Sequence, residues 1–250
     1  MKTYLTRLCI LVGTAVVFPA NAQDSGLFRI RPIIAKVQYT LDYEDYTGTH
    51  RKGTSDFTAA GLGLSYIGAK RWFIDAKRTT SSNAQHDYWR TLGYSNLPLE
   101  RTDTALTAGW STESLLSMFA TLQQGETVRT NYPTSTETKR TLTTTGIVVG
   151  AGKAFPTGFG TFSINGGLGY SKGNVKTTNT NPSLNGSFDA DYAWAYSLGG
   201  AYSYQLHKNI ALIVDARYQS MRMDFDASTS TWFYYKEDIT YLGLNLAFQF

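Results

Sequence analysis

The segment Tyr241–Phe250, with the sequence YLGLNLAFQF, decides the fold class of this chain. Its bulky apolar residues fall at every second position, namely Leu242, Leu244, Leu246, Phe248 and Phe250. Alternation with a period of two is the pattern of a β-strand whose two faces meet different surroundings. Because chain ends are usually polar and poorly ordered, this segment predicts a strand held between two neighbours.

Similar alternation recurs along the chain and predicts about ten strands. The clearest runs lie at 33–43, 60–66, 72–77, 106–111, 116–123, 147–151, 162–170, 192–202, 210–219 and 241–250. Short turns are predicted at 67–70, 111–114, 155–160 and 205–209, and long polar connections at 44–56, 79–102, 124–140, 172–187 and 221–236. Short turns on one side and long loops on the other are typical of an outer-membrane barrel.

The composition agrees with a strand-rich membrane protein. Aromatic residues make up 14% of the chain, with 17 Tyr, 23 Gly and only 17% charged residues, which favours strands and turns. The mean hydropathy is -0.25, and the chain after residue 23 contains no apolar run long enough for a transmembrane helix. The formal net charge of +4 includes two leader residues and gives no argument for nucleic acid.

Residues 1–22 have the features of a secretory signal peptide. Lys2 and Arg7 form a basic start, Leu8–Phe18 is an apolar stretch too short to span a bilayer, and Ala20-Asn21-Ala22 fits a cleavage site. The single cysteine, Cys9, falls inside this leader. The mature chain, 23–250, is therefore expected to form one domain without disulfides, cysteine nucleophiles or a metal site.

Lipid offers no hydrogen bonds to the backbone, so each membrane strand must pair on both sides and the sheet must close. The sequence therefore predicts an all-β fold, a single antiparallel up-and-down transmembrane β-barrel of about ten strands, with eight or twelve as alternatives. A soluble β-sandwich would need a fully wet face for the charges at mid-strand. Aromatic residues at the ends of the runs predict interfacial girdles; they include Tyr39, Tyr43, Tyr66, Trp72, Trp110, Phe155, Phe159, Tyr170, Tyr202, Tyr204 and Tyr218.

The leader, the alternating strands and the last segment together resemble the small outer-membrane β-barrel proteins of Gram-negative bacteria. The resemblance implies a place in the outer membrane after cleavage near Ala22, in contact with lipid and lipopolysaccharide. It also implies assembly by periplasmic chaperones and the barrel-assembly machinery. The assembly signal would consist of Phe250, with Phe248, Leu246 and Tyr241 as further members.

The polar positions of the strands predict charges inside the lumen. The candidates are Lys36, Arg71, Asp75, Lys77, Asp103, Asp215 and Arg217. They could pair with each other as a polar plug, or line a narrow porin-like pore for small solutes. Because eight-stranded barrels are filled by side chains and sixteen-stranded ones hold a channel, about ten strands favour the plug.

The sequence does not show an enzyme motif, although some ten-stranded relatives of this architecture, the omptins, are proteases. The weak catalytic candidates are His86, Asp87, Asp189, Asp191, Asp224 and Asp226. A carboxylate pair with a histidine could activate water, but the omptin Asp-x-His spacing is missing. A lipid A-modifying enzyme would use rim residues such as His50 or His86, and no matching motif is present.

The predicted function is that of a non-enzymatic outer-membrane barrel with structural, adhesive or ligand-binding loops. No cofactor and no nucleic acid partner are expected, and an extracellular ligand is left open. The run Trp232–Tyr235 places four aromatic residues in a row. It predicts either the outer aromatic girdle of the last strand or a binding surface for a host or glycan ligand.

Overall fold

The computed structural model describes residues 26–45, 48–86, 97–131, 137–226 and 232–250. The strands are β1 (Leu27–Asp45), β2 (His50–Ile67), β3 (Trp72–His86), β4 (Leu97–Ser111), β5 (Leu116–Asn131), β6 (Thr138–Thr157), β7 (Gly160–Asn179), β8 (Gly186–Asp189), β9 (Tyr192–His207), β10 (Ile210–Asp224) and β11 (Trp232–Gln249). The leader 1–22 lies outside the described residues.

Strands that follow one another along the chain pair antiparallel, except that β9 pairs with β7 and not with β8, and the sheet closes where β1 pairs with β11. The short strand β8 continues β9 along the same edge of β7. Ser171 of β7 pairs with Ala193 of β9, and Asn174 of β7 pairs with Asp189 of β8. These partners are three residues apart on β7 and four apart on the other side, so one extra residue, a β-bulge, lies between β8 and β9. β8 and β9 therefore form one barrel strand, and the prediction of a ten-stranded barrel is confirmed.

The strands are tilted steeply around the barrel axis. A path that steps from each residue to its partner on the next strand can be followed around the whole wall. Starting at Phe28 on β1, it passes through Ile74 and Leu168 and returns to β1 at Thr40. The offset of twelve residues (40 − 28) is the stagger that closure of a tilted sheet requires.

One turn of 3-10 helix, Pro182–Leu184, lies between β7 and β8, and Asn181 caps its first residues. Among the described residues, no helix is long and apolar enough to cross a membrane.

We call the half that carries the four short turns the lower half, and the other the upper half. The outward side chains of the lower half form a continuous apolar belt; its members include Ile34, Leu62, Leu64, Ile74, Leu106, Met118, Leu122, Val149, Ile164, Leu168, Leu198, Val214, Leu242, Leu244 and Leu246, all exposed. Aromatic side chains border the belt near the turns, including Tyr66, Trp72, Trp110, Phe155 and Tyr204. At about 3.3 Å per residue and a tilt of about 40°, the eight steps from Leu242 to Phe250 span about 20 Å, close to a membrane belt of about 25 Å.

The outward positions of the upper half are polar. On β1 the change falls between Ile34, exposed in the belt, and Lys36, whose Nζ donates to Thr58 Oγ1 at 2.9 Å on the outer face. On β11 it falls between Leu242 and Thr240. The wall therefore faces an apolar surrounding below and an aqueous one above.

The strands extend farther than the alternation predicted. They run for 15 to 20 residues apart from β8, where the membrane argument predicted about 10. Much of the polar sequence predicted as loops, such as 50–56 and 97–102, is strand above the belt. A strand with a wet outer face carries polar residues there, which resemble loop sequence.

Candidate functional site

The upper half of the lumen is filled by an apolar core. Tyr39, Leu41, Leu99, Met223 and Tyr235 have no exposed surface. The ring of Tyr235 stacks on Tyr43 with centroids 5.1 Å apart. Further members are Val37, Phe57, Leu142, Val175, Ala193, Ala195, Met221, Phe225 and Ile239. We call this set the upper core.

A buried ionic network lies within the upper core. Glu237 is 1% exposed, and its Oε1 accepts hydrogen bonds from Tyr39 Oη at 2.5 Å, Arg101 Nη1 at 3.1 Å and Thr127 Oγ1 at 3.3 Å. Arg101 also donates to Asp103 through Nε at 3.0 Å and Nη2 at 2.8 Å. Burial, and then the Glu237 carboxylate, hold the pKa of Tyr39 well above its usual value, so this phenol stays protonated and donates. The network satisfies its charges inside an apolar surrounding, as buried ions require.

The lower half of the lumen contains a group of charged side chains. It holds Asp75 and Lys77 from β3, and Asp215 and Arg217 from β10, four of the predicted lumen charges. Asp215 Oδ1 accepts from Asn245 Nδ2 at 2.6 Å. Asp103, also predicted in the lumen, belongs to the upper network.

Sequence reasoning missed two further cations of the lower lumen, Arg29 and Arg31. Both are buried, and Arg31 forms an ion pair with Asp75. Arg31 lies across Gly63, where a Cβ atom would approach its Nη2 to 2.9 Å. The signal was present in the sequence, because Arg29 and Arg31 continue the odd positions of β1 below Ile33.

The predictions for the faces of β1 were wrong. Lys36 was expected in the lumen and lies on the outer face, whereas Tyr39 and Tyr43 were expected in a girdle and lie in the upper core. The reason is that the surrounding of the outer face changes from apolar to aqueous above Ile34. From there upward the polar side chains of β1 point outward and the apolar ones point into the lumen. Arg71 was also expected in the lumen, but it lies in the β2–β3 turn with φ of 63°.

The weak catalytic candidates are not brought together. Asp224 is held by Arg222 on the outer face, with Nη2 2.8 Å from Oδ1, and Asp189 accepts from Asn174 Nδ2 at 2.7 Å. Asp191 donates its backbone N–H to the carbonyl of Asp224 at 3.0 Å, and Asp226 is exposed after β10.

The histidine proposed to work with these carboxylates is on the far side of the barrel. His86 ends β3, five strands around the wall from β9, and Asp87 lies outside the described residues. Within the part of the chain that the structure describes, no three His, Cys, Asp or Glu side chains are grouped to hold a metal ion.

A cluster of polar side chains on the upper outer wall was not anticipated. His50 Nε2 lies 2.6 Å from Asp42 Oδ1, which also accepts from Tyr234 Oη at 3.3 Å. The guanidinium of Arg222 lies 4.4 Å from the ring centre of Tyr234. Asp42 and Tyr234 are 192 positions apart, so nothing local in the sequence indicates their contact.

A strip of aromatic side chains rises above the belt on β7, β9 and β10. It consists of Tyr170, Tyr192, Trp194, Tyr196 and Tyr218, and we call it the aromatic strip. Tyr170 and Trp194 make an edge contact at 5.5 Å, and Tyr196 and Tyr218 make another at 5.6 Å. Tyr192 and Trp194 are 45% and 54% exposed. Trp194 pairs across the strands with a polar residue of the outer wall, Arg222, so the strip extends beyond the belt.

The aromatic run at 232–235 does not form one surface. Tyr234 is partly exposed on the outer wall and Tyr235 is buried in the upper core, as alternation on a strand requires. The side chains of Trp232 and Phe233 lie outside the described residues.

The residues of the proposed assembly signal complete the closing strand. The backbone N–H of Phe250 donates to the carbonyl of Phe28 at 3.0 Å, and that of Phe28 donates to Phe250 at 3.2 Å. Leu246 and Phe250 point outward, Phe248 is partly exposed, and Tyr241 lies in the lumen. The last strand is thereby paired to its end.

Comparison with known proteins identifies the fold. No protein-family model matches the sequence, and no curated protein matches it. Among solved structures, the outer membrane protease OmpT from Escherichia coli is similar with a TM-score of 0.55 and 8% identity, over 91% of this chain and 97% of that chain. The translocator domain of the autotransporter NalP from Neisseria meningitidis is similar with a TM-score of 0.51 and 11% identity, over 88% of each chain. The chain therefore has the fold of outer-membrane β-barrel proteins, and identities this low carry over no residue role.

Proposed function

We propose that this protein is an integral outer-membrane barrel with a closed lumen, which acts through its outer wall above the membrane and does not conduct solutes. The observation that carries the proposal is the upper core. A channel needs a continuous wet path, whereas Tyr39, Leu41 and Tyr235 have no exposed surface. The apolar belt below and the polar wall above support a position across the outer membrane, with the upper half outside the lipid.

The surface assigned to ligand binding is the aromatic strip. Exposed aromatic side chains are common in interaction sites, because each offers a large rigid contact area and, in Tyr and Trp, a polar group. The strip begins at the upper edge of the belt, and Tyr192 and Trp194 lie above it. That is the level at which the saccharide part of lipopolysaccharide leaves the membrane, so the ligand inferred here is this saccharide.

The closed lumen is tested by planar bilayer recording. The refolded protein is expected to insert without conductance steps. The matched control is Tyr43→Ser combined with Tyr235→Ser, which removes the stacked pair of the upper core and should produce conductance in the same assay. Stable conductance steps from the unsubstituted protein would contradict the proposal.

Saccharide binding is tested by calorimetry with the delipidated core oligosaccharide of lipopolysaccharide. Trp194→Ser combined with Tyr192→Ser should weaken binding at least tenfold, since each substitution removes an exposed ring. Trp110→Ser serves as the control, because Trp110 is similarly exposed at 49% but lies at the lower border of the belt. Equal affinities of both variants and the unsubstituted protein would exclude the aromatic strip as the binding surface.

A further inference from the structure

The inward charges of the lower lumen do not balance. Four cations, Arg29, Arg31, Lys77 and Arg217, share this space with two carboxylates, Asp75 and Asp215. Arg29, Arg31 and Lys77 are between 4% and 7% exposed, and Asp75 is 1% exposed. The space therefore holds two more basic than acidic side chains in the part of the barrel that the belt surrounds.

The pairing within this group shows where the excess lies. Arg31 pairs with Asp75, and Asp215 accepts from Asn245. Among the described residues, the ion pairs within 4 Å do not include Lys77 or Arg217. These two cations lie 4.1 Å and 5.2 Å from the centre of the same ring, that of Tyr241.

Two buried polar atoms beside these cations also lack a partner. Nε of Arg31 and Oη of Tyr241 are buried and accept or donate no hydrogen bond in the structure. Arg31 is 7% exposed and Tyr241 is 3% exposed. Both groups can donate a hydrogen bond, and buried donors are normally satisfied. An acceptor between them would satisfy both and reduce the excess charge.

We propose that the lower lumen binds a small oxyanion, a phosphate or carboxylate group, between Lys77, Arg217, Arg31 and the hydroxyl of Tyr241. Ammonium and guanidinium groups bind such anions with charge-assisted hydrogen bonds. The upper core separates this space from the outer end of the barrel, so the anion reaches it from the turn end or is enclosed during folding. The site is independent of the aromatic strip and of the saccharide proposed for it.

Inorganic phosphate and acetate are the two probes, each compared with chloride at constant ionic strength. The full mature protein is refolded in detergent with each anion, and its thermal midpoint is measured. A ligand of the folded state raises the midpoint with the logarithm of its concentration. A rise with phosphate alone assigns a phosphate site, and a rise with both assigns a site for oxyanions in general.

The variant is Lys77→Met and its matched control is Arg78→Met, the neighbouring residue, which points to the outer face and is exposed. The anion-dependent rise should be lost in the first and kept in the second. Lys77→Met could fail to fold, so bound phosphate is also measured directly on the unsubstituted protein after refolding and gel filtration, where about one phosphate per chain is expected for a single enclosed site. A midpoint that no anion raises, together with no retained phosphate or acetate, would overturn the proposal.

Discussion

Removing one member of the buried pair Arg101–Glu237 should destabilise the barrel by an amount that depends on which member is removed. In Arg101→Met, the Glu237 carboxylate stays buried at 1% exposure without its cation, retaining the hydrogen bonds from Tyr39 and Thr127. Removal of one partner of a buried pair costs about 3–5 kcal/mol. We expect this substitution to lower the free energy of unfolding by about 4 kcal/mol.

Glu237→Gln should cost less. The amide oxygen can still accept from Tyr39 and Arg101, and Arg101 keeps both hydrogen bonds to Asp103. Charged hydrogen bonds contribute about 1.5–3 kcal/mol and neutral ones about 0.5–1.5 kcal/mol. Weakening of the two shorter contacts of Glu237 Oε1, those from Tyr39 and Arg101, predicts a loss of about 2 kcal/mol, half of that expected for Arg101→Met.

The measurement is equilibrium urea unfolding of the protein refolded into lipid vesicles, followed by tryptophan fluorescence. The matched control is Asp238→Asn, one position along β11 on the opposite face, where Lys236 and Asp238 form an ion pair at 2.6 Å with side chains 35% and 18% exposed. This pair should contribute no more than about 1 kcal/mol. The reasoning is refuted if Glu237→Gln costs more than Arg101→Met, or if both cost as little as the control.

Three further outcomes are expected. Leu244→Arg, in the belt, should lower the stability in vesicles by about 2–4 kcal/mol, whereas Thr240→Arg, above the belt on the same face, should cost about 0–1 kcal/mol; equal losses in urea unfolding would argue against the level assigned to the membrane. Gly150→Val should reduce the yield of heat-modifiable barrel on gels, because a Cβ would lie 2.4 Å from the ring of Phe119; unchanged yield and stability would contradict that packing. Deletion of Phe250 should lower the amount of protein assembled in the outer membrane more than it lowers the stability of barrel refolded in vitro; normal levels in isolated outer membranes would contradict an assembly role.

The alternation of β2, β7, β9, β10 and β11 was sufficient to predict which side chains face outward. On β11, Leu242, Leu244 and Leu246 are exposed, while Gly243, Asn245 and Gln249 are buried. The prediction succeeded because these residues lie in the belt, where one face meets lipid and the other a polar lumen. Within the belt, the outward positions are therefore apolar and the inward positions between them are polar or small.

The same reasoning failed on β1. In the lower half of that strand the apolar side chains point outward, whereas in the upper half the apolar side chains point into the lumen. From Phe28 to Ile34 the even positions face the apolar surrounding, and from Lys36 onward the even positions face water. The period of two continues through this point, so the sequence of β1 alone cannot show which face is the inner one. Pairing with β2 and β11 decides it, because their belt residues Leu62 and Leu244 lie beside Pro32 and Ile34 in the lower half of β1.

The sequence by itself determined that this chain forms strands, that there are about ten of them, and that they close into a barrel with an apolar belt, because these features follow from residue periodicity and from the hydrogen bonds that lipid cannot supply. Only the tertiary structure decided what fills the barrel. Arg101 and Glu237 are 136 positions apart, and Lys77 and Arg217 meet at the ring of Tyr241 because three distant strands face one another across the lumen. The pattern of alternation is a property of one strand, whereas the buried upper core and the unequal numbers of basic and acidic side chains below it depend on which strands face each other across the lumen.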